Sequence, residues 1–179
     1  KTTKIYCIPG NAGTSTFAKN ISIDINNFQE IYKFLNEKKI DLVIVGPEAP
    51  LVNGIVDYLE KYGIKVFGPN QAASQLEGSK IFTKNICKKY NIPTANFGIF
   101  QTREESKQFL DSSKHPIVIK ADNLAAGKGV YICKNKIESN LAVDEIFDGK
   151  FGSAKNLLIE EFLEGEEMSY FIISDGNSI

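Results

Sequence analysis

Short apolar runs alternate with helical stripes along the first part of the chain. Lys4 to Ile8 reads as a strand. Phe28, Ile31, Tyr32 and Leu35 then recur at i, i+3, i+4 and i+7, which places them on one face of a helix. Asp41 to Val45 is too short for a helix and runs into Gly46-Pro47, so it reads as a buried strand with a turn after it. Val52, Ile55, Val56 and Leu59 repeat the helical stripe, Gly63 offers a left-handed stop, and Lys65 to Phe67 is strand-like. Strand, helix, strand, helix, strand is the order of a parallel sheet, because parallel neighbours need a crossover that a helix usually supplies. The first part of the chain therefore predicts an open parallel α/β unit.

The pattern changes further on. Ser79 to Tyr90 is a Lys-rich helix, and Asn91-Ile92-Pro93-Thr94 breaks it before a strand at Phe97 to Phe100. A helix around Thr102 to Leu110, a strand Ile117 to Lys120, a small-residue loop Ala121 to Gly127 and a strand Gly129 to Cys133 follow. Then come a helix over Ile137 to Phe147 and strands Leu157 to Glu161 and Met168 to Ser174. Asp175-Gly176 has the form of a type I′ hairpin turn, yet no return strand follows it. The opening strand likewise has no partner before it. Both ends read as cut.

Composition narrows the function classes. With 179 residues, 42% apolar and 24% charged, the chain is of ordinary globular type, and a formal net charge of -1 leaves no general footprint for nucleic acid or an anionic membrane. No apolar run approaches the length of a membrane helix, and the Lys-rich start lacks a signal-peptide core. The single histidine, His115, excludes zinc sites built on several imidazoles, and its place before Pro116 makes it a turn residue at a strand entrance. Cys7, Cys87 and Cys133 are far apart with no CxxC pair, which argues against a zinc ribbon or a disulfide framework and for buried free thiols in the cytoplasm.

Three places carry chemistry. Lys120 ends an apolar strand on the same face as Val118, where an unpaired ammonium beside apolar surface would be costly, so it needs an anionic partner. The loop that follows, Ala125-Ala126-Gly127-Lys128-Gly129, reads either as a plain hairpin or as a nest of backbone N–H groups for phosphate oxygens. It is not a Walker A loop, since Gly129 stands where Ser or Thr is required and a strand follows in place of a helix. In the second place, Leu157 to Glu167, five carboxylates fall within Glu160 to Glu167 and are interrupted by Phe162 and Leu163. This is either a solvated acidic turn or a connector whose free backbone groups and apolar slot suit adenine, with a carboxylate further on for ribose hydroxyls. The third is Lys80, at a helix start, which alone would be a solvated lysine.

Taken together and in this order, these segments resemble the ATP-grasp superfamily, and within it the phosphoribosylamine-glycine ligase family. The resemblance rests on Pro9-Gly10-Asn11-Ala12-Gly13-Thr14, Val45-Gly46-Pro47-Glu48-Ala49-Pro50-Leu51, Gln75-Leu76-Glu77-Gly78-Ser79-Lys80, Ile92-Pro93-Thr94-Ala95, Lys120 to Val130 and Glu160 to Glu167. It covers nearly the whole chain. One departure is Asn123, where the family motif carries glycine; asparagine tolerates the left-handed conformation that glycine would supply.

The resemblance implies a Rossmann-like substrate-side α/β domain over 1–77, without its first strand, and the N-terminal portion of an ATP-grasp domain over 78–179. It implies that Lys80 and Lys120 contact ATP phosphates and that Ala125, Ala126, Gly127, Lys128 and Gly129 fold over them. Glu160, with the backbone of Glu161, Phe162 and Leu163, would read adenine, and Glu167 would bind the ribose. Gly10, Asn11, Gly13 and Glu48 would face phosphoribosylamine, although a bare turn explains them nearly as well. The implied reaction joins glycine to 5-phosphoribosylamine through a glycyl phosphate, with ATP and Mg²⁺, in purine biosynthesis. It asks for no side-chain nucleophile, in keeping with a chain that has one histidine. The metal ligands, and much of the glycine site, are expected beyond the last residue, and the fragment alone is expected to be inactive. Another ATP-grasp carboxylate-amine ligase, or a non-catalytic nucleotide-binding module, remains open.

Overall fold

A computed structural model describes residues 4–122, 129–152 and 156–174, and these divide into two compact units. The first holds residues 4–92 together with Asp122; the second holds 93–121 and the described residues from 129 onward.

In the first unit Tyr6–Cys7 (β1) pairs in parallel with Lys19–Asn20 (β2), and Val43–Ile44 (β3) pairs in parallel with Val66–Phe67 (β4). The parallel geometry agrees with the sequence pattern, but β2 was not foreseen, and no ladder joins the two pairs among the described residues. Helix Phe28–Lys38 (α1) starts at Asn27, whose side chain accepts from the Glu30 amide at 3.1 Å while its own amide donates back to the Glu30 carboxylate at 3.0 Å. Its buried Ile31 and Leu35 pack with Leu51, Ile55, Val56 and Leu59 to form the core of this unit.

The stripe read as one helix from Val52 to Leu59 is two: Glu48–Val52 (α2) and Ile55–Glu60 (α3). Gly54 separates them at φ +89°, a left-handed value that no helix interior can contain. The stop at Gly63 is present, with φ +72° and its amide bonded to the Glu60 carbonyl at 2.9 Å. Helix Gln71–Gly78 (α4), absent from the sequence reading, precedes Lys80–Lys89 (α5), and Asn91 ends that run in the left-handed region at φ +54°.

The second unit is an antiparallel sheet under two helices. Phe97–Phe100 (β5), Arg103–Asp111 (α6), Ile117–Ala121 (β6), Val130–Cys133 (β7), Lys136–Phe147 (α7) and Leu157–Glu161 (β8) follow one another, and the sheet order is β5-β8-β6-β7. Leu110 of α6 and Ala142, Val143 and Ile146 of α7 pack on Ile117, Ile119, Ala121, Cys133, Leu157 and Ile159. Arg103 and Lys107 of α6 reach Asp144 of α7 at 3.1 and 2.7 Å, and Arg103 also reaches Asp148 at 2.7 Å. The expected strand Met168 to Ser174 is not one: these residues have no ladder, and Phe171 is 89% exposed. An apolar run forms a strand only where a neighbouring strand takes its backbone groups. The turn expected at Asp175-Gly176 lies outside the described residues.

His115 is the turn residue before β6, with Nε2 2.7 Å from the Ser139 hydroxyl. Of the three cysteines only Cys133 is buried, and burial pushes its thiol up; Cys7 and Cys87 are half-buried. No helix among the described residues is long and apolar enough to cross a membrane.

Beside β7, Glu145 accepts from Lys150 at 2.6 Å and from the Tyr131 hydroxyl. These two bonds, Lys150 first, hold its carboxyl below the ordinary glutamate value of 4.5. A depressed carboxyl contributes stability above its unfolded pKa and loses it as pH falls through the folded one. Urea melts of Glu145→Gln are therefore expected to lose less stability than the parent when pH is lowered from 4.5 downward; parallel curves would refute the assignment.

Candidate functional site

Along β6 the side chains alternate. Ile117, Ile119 and Ala121 are buried under the helices, so Val118 and Lys120 point to the other face. In the antiparallel register Val118 stands opposite Glu160 and Lys120 opposite Leu158, which puts Lys120 and Glu160 on one diagonal of one face. They form an ion pair in which Glu160 is 5% and Lys120 27% exposed. A carboxylate that far from water is tolerable only with a cation beside it. The anionic partner that the sequence demanded for Lys120 is thus supplied, in this structure, by Glu160.

Around the pair the face is apolar. Leu158 is fully buried, Ile99 and Phe97 of β5 continue the face on one side, and Val130 and Ile132 of β7 are exposed on the other. Such a surface can hold a flat ring, with a cation for an anionic group and a carboxylate to accept from an N–H. The Ala121 amide bonds the Gly129 carbonyl at 2.9 Å, closing the β6–β7 hairpin at the base of its loop. Gly129 is buried; Ala125, Ala126, Gly127 and Lys128 lie outside the described residues, as does Asn123.

The connector after β8 is more specific than its acidity suggested. The Glu161 amide donates to the Asn96 carbonyl at 3.0 Å, and the Glu161 carboxylate accepts from the Asn96 backbone and side-chain amides at 2.9 and 3.1 Å. Glu161 therefore has no N–H to offer a ligand. The Phe162 and Leu163 amides make no hydrogen bond among the described residues, so of the three backbone positions these two keep their donors. Glu167 is exposed.

The first unit holds the remaining candidates. Lys80 is the first residue of α5, half-buried. Its neighbours Ser79 and Ile81 both bond Asp122, a residue to which sequence reasoning assigned no role. Gly10, Asn11 and Gly13 follow the carboxyl end of β1 in a loop tied by Asn20: Asn20 donates to the Asn11 carbonyl at 2.7 Å and accepts from Thr14 Oγ1 at 2.8 Å. Gly10 sits at φ +78°, and a Cβ there would lie 2.2 Å from Asn20 Oδ1, so the position admits glycine only. Glu48 opens α2 after β3 and is exposed. Both places lie beyond strand carboxyl ends, where open α/β sheets bind ligands. Asn20 and Asn96 were missed because an asparagine in a loop or on a strand has no sequence signature. Among the described residues no group of His, Cys, Asp and Glu could hold a metal ion.

An antiparallel sheet with a lysine at the foot of a glycine hairpin and an acidic connector after its central strand is the arrangement of the ATP-grasp class. Known proteins agree in more detail. The model of the phosphoribosylglycinamide synthetase N domain matches residues 1–77, and that of the phosphoribosylglycinamide synthetase ATP-grasp (A) domain matches residues 78–179. The chain belongs to the phosphoribosylglycinamide synthetase family.

It is 49% identical over 177 residues to the phosphoribosylamine-glycine ligase of Mesorhizobium japonicum, covering 98% of this chain and 42% of that protein. The crystal structure of phosphoribosylamine-glycine ligase from Thermotoga maritima superposes with a TM-score of 0.73 at 31% identity, over 91% of this chain and 39% of that one. The biotin carboxylase domain of Hydrogenobacter thermophilus 2-oxoglutarate carboxylase, solved with MgADP, ADP and bicarbonate, matches with a TM-score of 0.64 at 25% identity, over 82% of this chain and 34% of that one. The chain spans about two fifths of the length of the curated relatives it matches.

Proposed function

We propose that this chain is the nucleotide-holding part, and part of the amine-substrate side, of an enzyme that ligates glycine to 5-phosphoribosylamine with ATP. The γ-phosphoryl group passes to the glycine carboxylate, giving glycyl phosphate and ADP. The amine of 5-phosphoribosylamine then attacks the acyl carbon, phosphate leaves, the amine loses a proton, and glycinamide ribonucleotide results, a step of purine biosynthesis. Catalysis of this kind rests on positioning and on cations that offset spreading negative charge, which needs no nucleophilic side chain.

The observation that carries the reading is the ion pair of half-buried Lys120 with buried Glu160 on an apolar sheet face at the foot of the hairpin, in a chain of this family. Lys120 and Lys80 hold phosphate oxygens, and Ala125, Ala126, Gly127, Lys128 and Gly129 are assigned to the same phosphates. Glu160 accepts from the adenine amino group, and the Phe162 or Leu163 amide donates to a ring nitrogen, with the Glu161 backbone beside them in the same connector. Glu167 takes the ribose hydroxyls. Gly10, Asn11, Gly13 and Glu48 face phosphoribosylamine. Magnesium bound with the nucleotide would offset phosphate charge; the MgADP in the Hydrogenobacter domain supports its use, and no side chain of this chain is assigned to the ion. The partners are small molecules, with neither nucleic acid nor membrane among them. The free thiols favour a cytoplasmic setting.

The test is ADP release by the full-length protein. It is expected to require glycine and 5-phosphoribosylamine together. Release that instead follows a different carboxylic acid would assign another carboxylate-amine ligase, and nucleotide binding with no release under any acid would leave a binding module.

A further inference from the structure

Lys80 is the first helical residue of α5, so whatever holds that turn sets where its side chain leaves the backbone. Several bonds converge there. Ser79, the N-cap, accepts from the Phe82 amide at 3.1 Å. The Ile81 amide donates to Asp122 Oδ1 at 3.1 Å, and the Ser79 hydroxyl donates to the same carboxylate, 3.0 and 3.3 Å from its two oxygens. The residues on either side of Lys80 are thus both fastened to Asp122.

The elbow is closed from the α4 side as well. Thr83 Oγ1 donates to the Leu76 carbonyl at 2.6 Å. A Cβ on Gly78 would lie 2.9 Å from Val52 Cγ2, so the end of α4 is seated against the end of α2 with no room for a larger residue. With the Ile81 amide already used and a negative charge in place, the start of α5 does not itself offer an anion site. The lysine side chain is what this helix start presents to a phosphate.

We propose that Asp122 is a positioning residue for Lys80, fixing the first turn of α5 so that the ammonium meets the nucleotide phosphates. This rests on the phosphate role given to Lys80 above. A carboxylate suits the task because it takes a hydroxyl and an amide at once, which an apolar side chain cannot do.

Calorimetric titration of ATP into the full-length protein tests this with wild type, Lys80→Met, Asp122→Ala, Asp122→Asn and the Lys80→Met/Asp122→Ala double variant. Asp122→Ala is expected to weaken ATP about ten-fold or more, the cost of a misplaced contact. Asp122→Asn should recover most of that, since its oxygen still accepts from Ile81. In the Lys80→Met background, loss of Asp122 should cost nothing further, because one residue acts through the other. Should Asp122→Ala not fold, Ser79→Ala takes its place, with a smaller loss that also vanishes in the Lys80→Met background.

Wild-type affinity in Asp122→Ala or, failing that variant, in Ser79→Ala overturns the proposal while Lys80→Met remains impaired, and so do losses that add in the double variant. Lys80→Met binding ATP as wild type does overturns the underlying phosphate role instead, which separates the two failures.

Discussion

A protein carrying Lys120→Met together with Glu160→Gln should fold and should bind ATP about ten- to a hundred-fold more weakly than one carrying Glu160→Gln alone. Charge-assisted contacts contribute about 1.5–3 kcal/mol each, which converts to that range. The second substitution is needed because Glu160 is buried at 5% exposure, and removing only its cation would strand a carboxylate away from water. Breaking a buried pair from one side costs about 3–5 kcal/mol, enough to confuse lost binding with lost structure. In the Glu160→Gln reference Lys120 is 27% exposed and its ammonium still reaches water, so no charge is stranded in either variant and the phosphate contact is the difference measured. Calorimetry on the full-length protein reads it directly, and equal affinities in the two variants would remove Lys120 from the nucleotide site.

Ile119→Ala, one residue earlier on β6, is expected to cost about 2–5 kcal/mol of stability in urea titrations. Ile119 is fully buried and packs in the cluster that includes Val143, Ile146 and Ile159, so truncation opens a cavity under the helices. Val118→Ala should behave differently. Val118 is half-buried on the Lys120 face, so it should lose less stability and more ATP affinity. Because strand side chains alternate, a one-residue slip in the register would exchange these two outcomes. The reverse result would therefore mean that the functional face has been assigned to the wrong side of the sheet.

Long, strongly patterned elements were legible from the chain alone. The α1 stripe, β5, β8 and the β6–loop–β7 hairpin stand where periodicity and turn residues place them. Elements whose signal is not periodic were not. The two-residue β2 carries no pattern, and α4 is too polar to show a stripe. The single helix read from Val52 to Leu59 failed at Gly54, because apolar spacing does not report a φ of +89°. Met168 to Ser174 failed for the opposite reason: it has the composition of a strand, but a strand exists only with a partner.

For the candidate site the division is similar. That Lys120 needed a negative partner followed from elementary electrostatics applied to an apolar strand. Which carboxylate supplied it did not, since the acidic run offered five between Glu160 and Glu167. Antiparallel register selected Glu160 by placing it one diagonal away on the same face, and it spent the Glu161 amide and carboxylate on Asn96. The role of Asp122 at the start of α5 was equally out of reach, because Asp122 and Ser79 are distant in the chain and no spacing rule connects them.

The sequence by itself determined the class of fold, the family and the residue types that chemistry could use, since these depend on local pattern and on motifs read in order. Only the tertiary structure decided which of those residues meet. Pairing across strands and capping across a helix start depend on long-range register, and local pattern does not encode that.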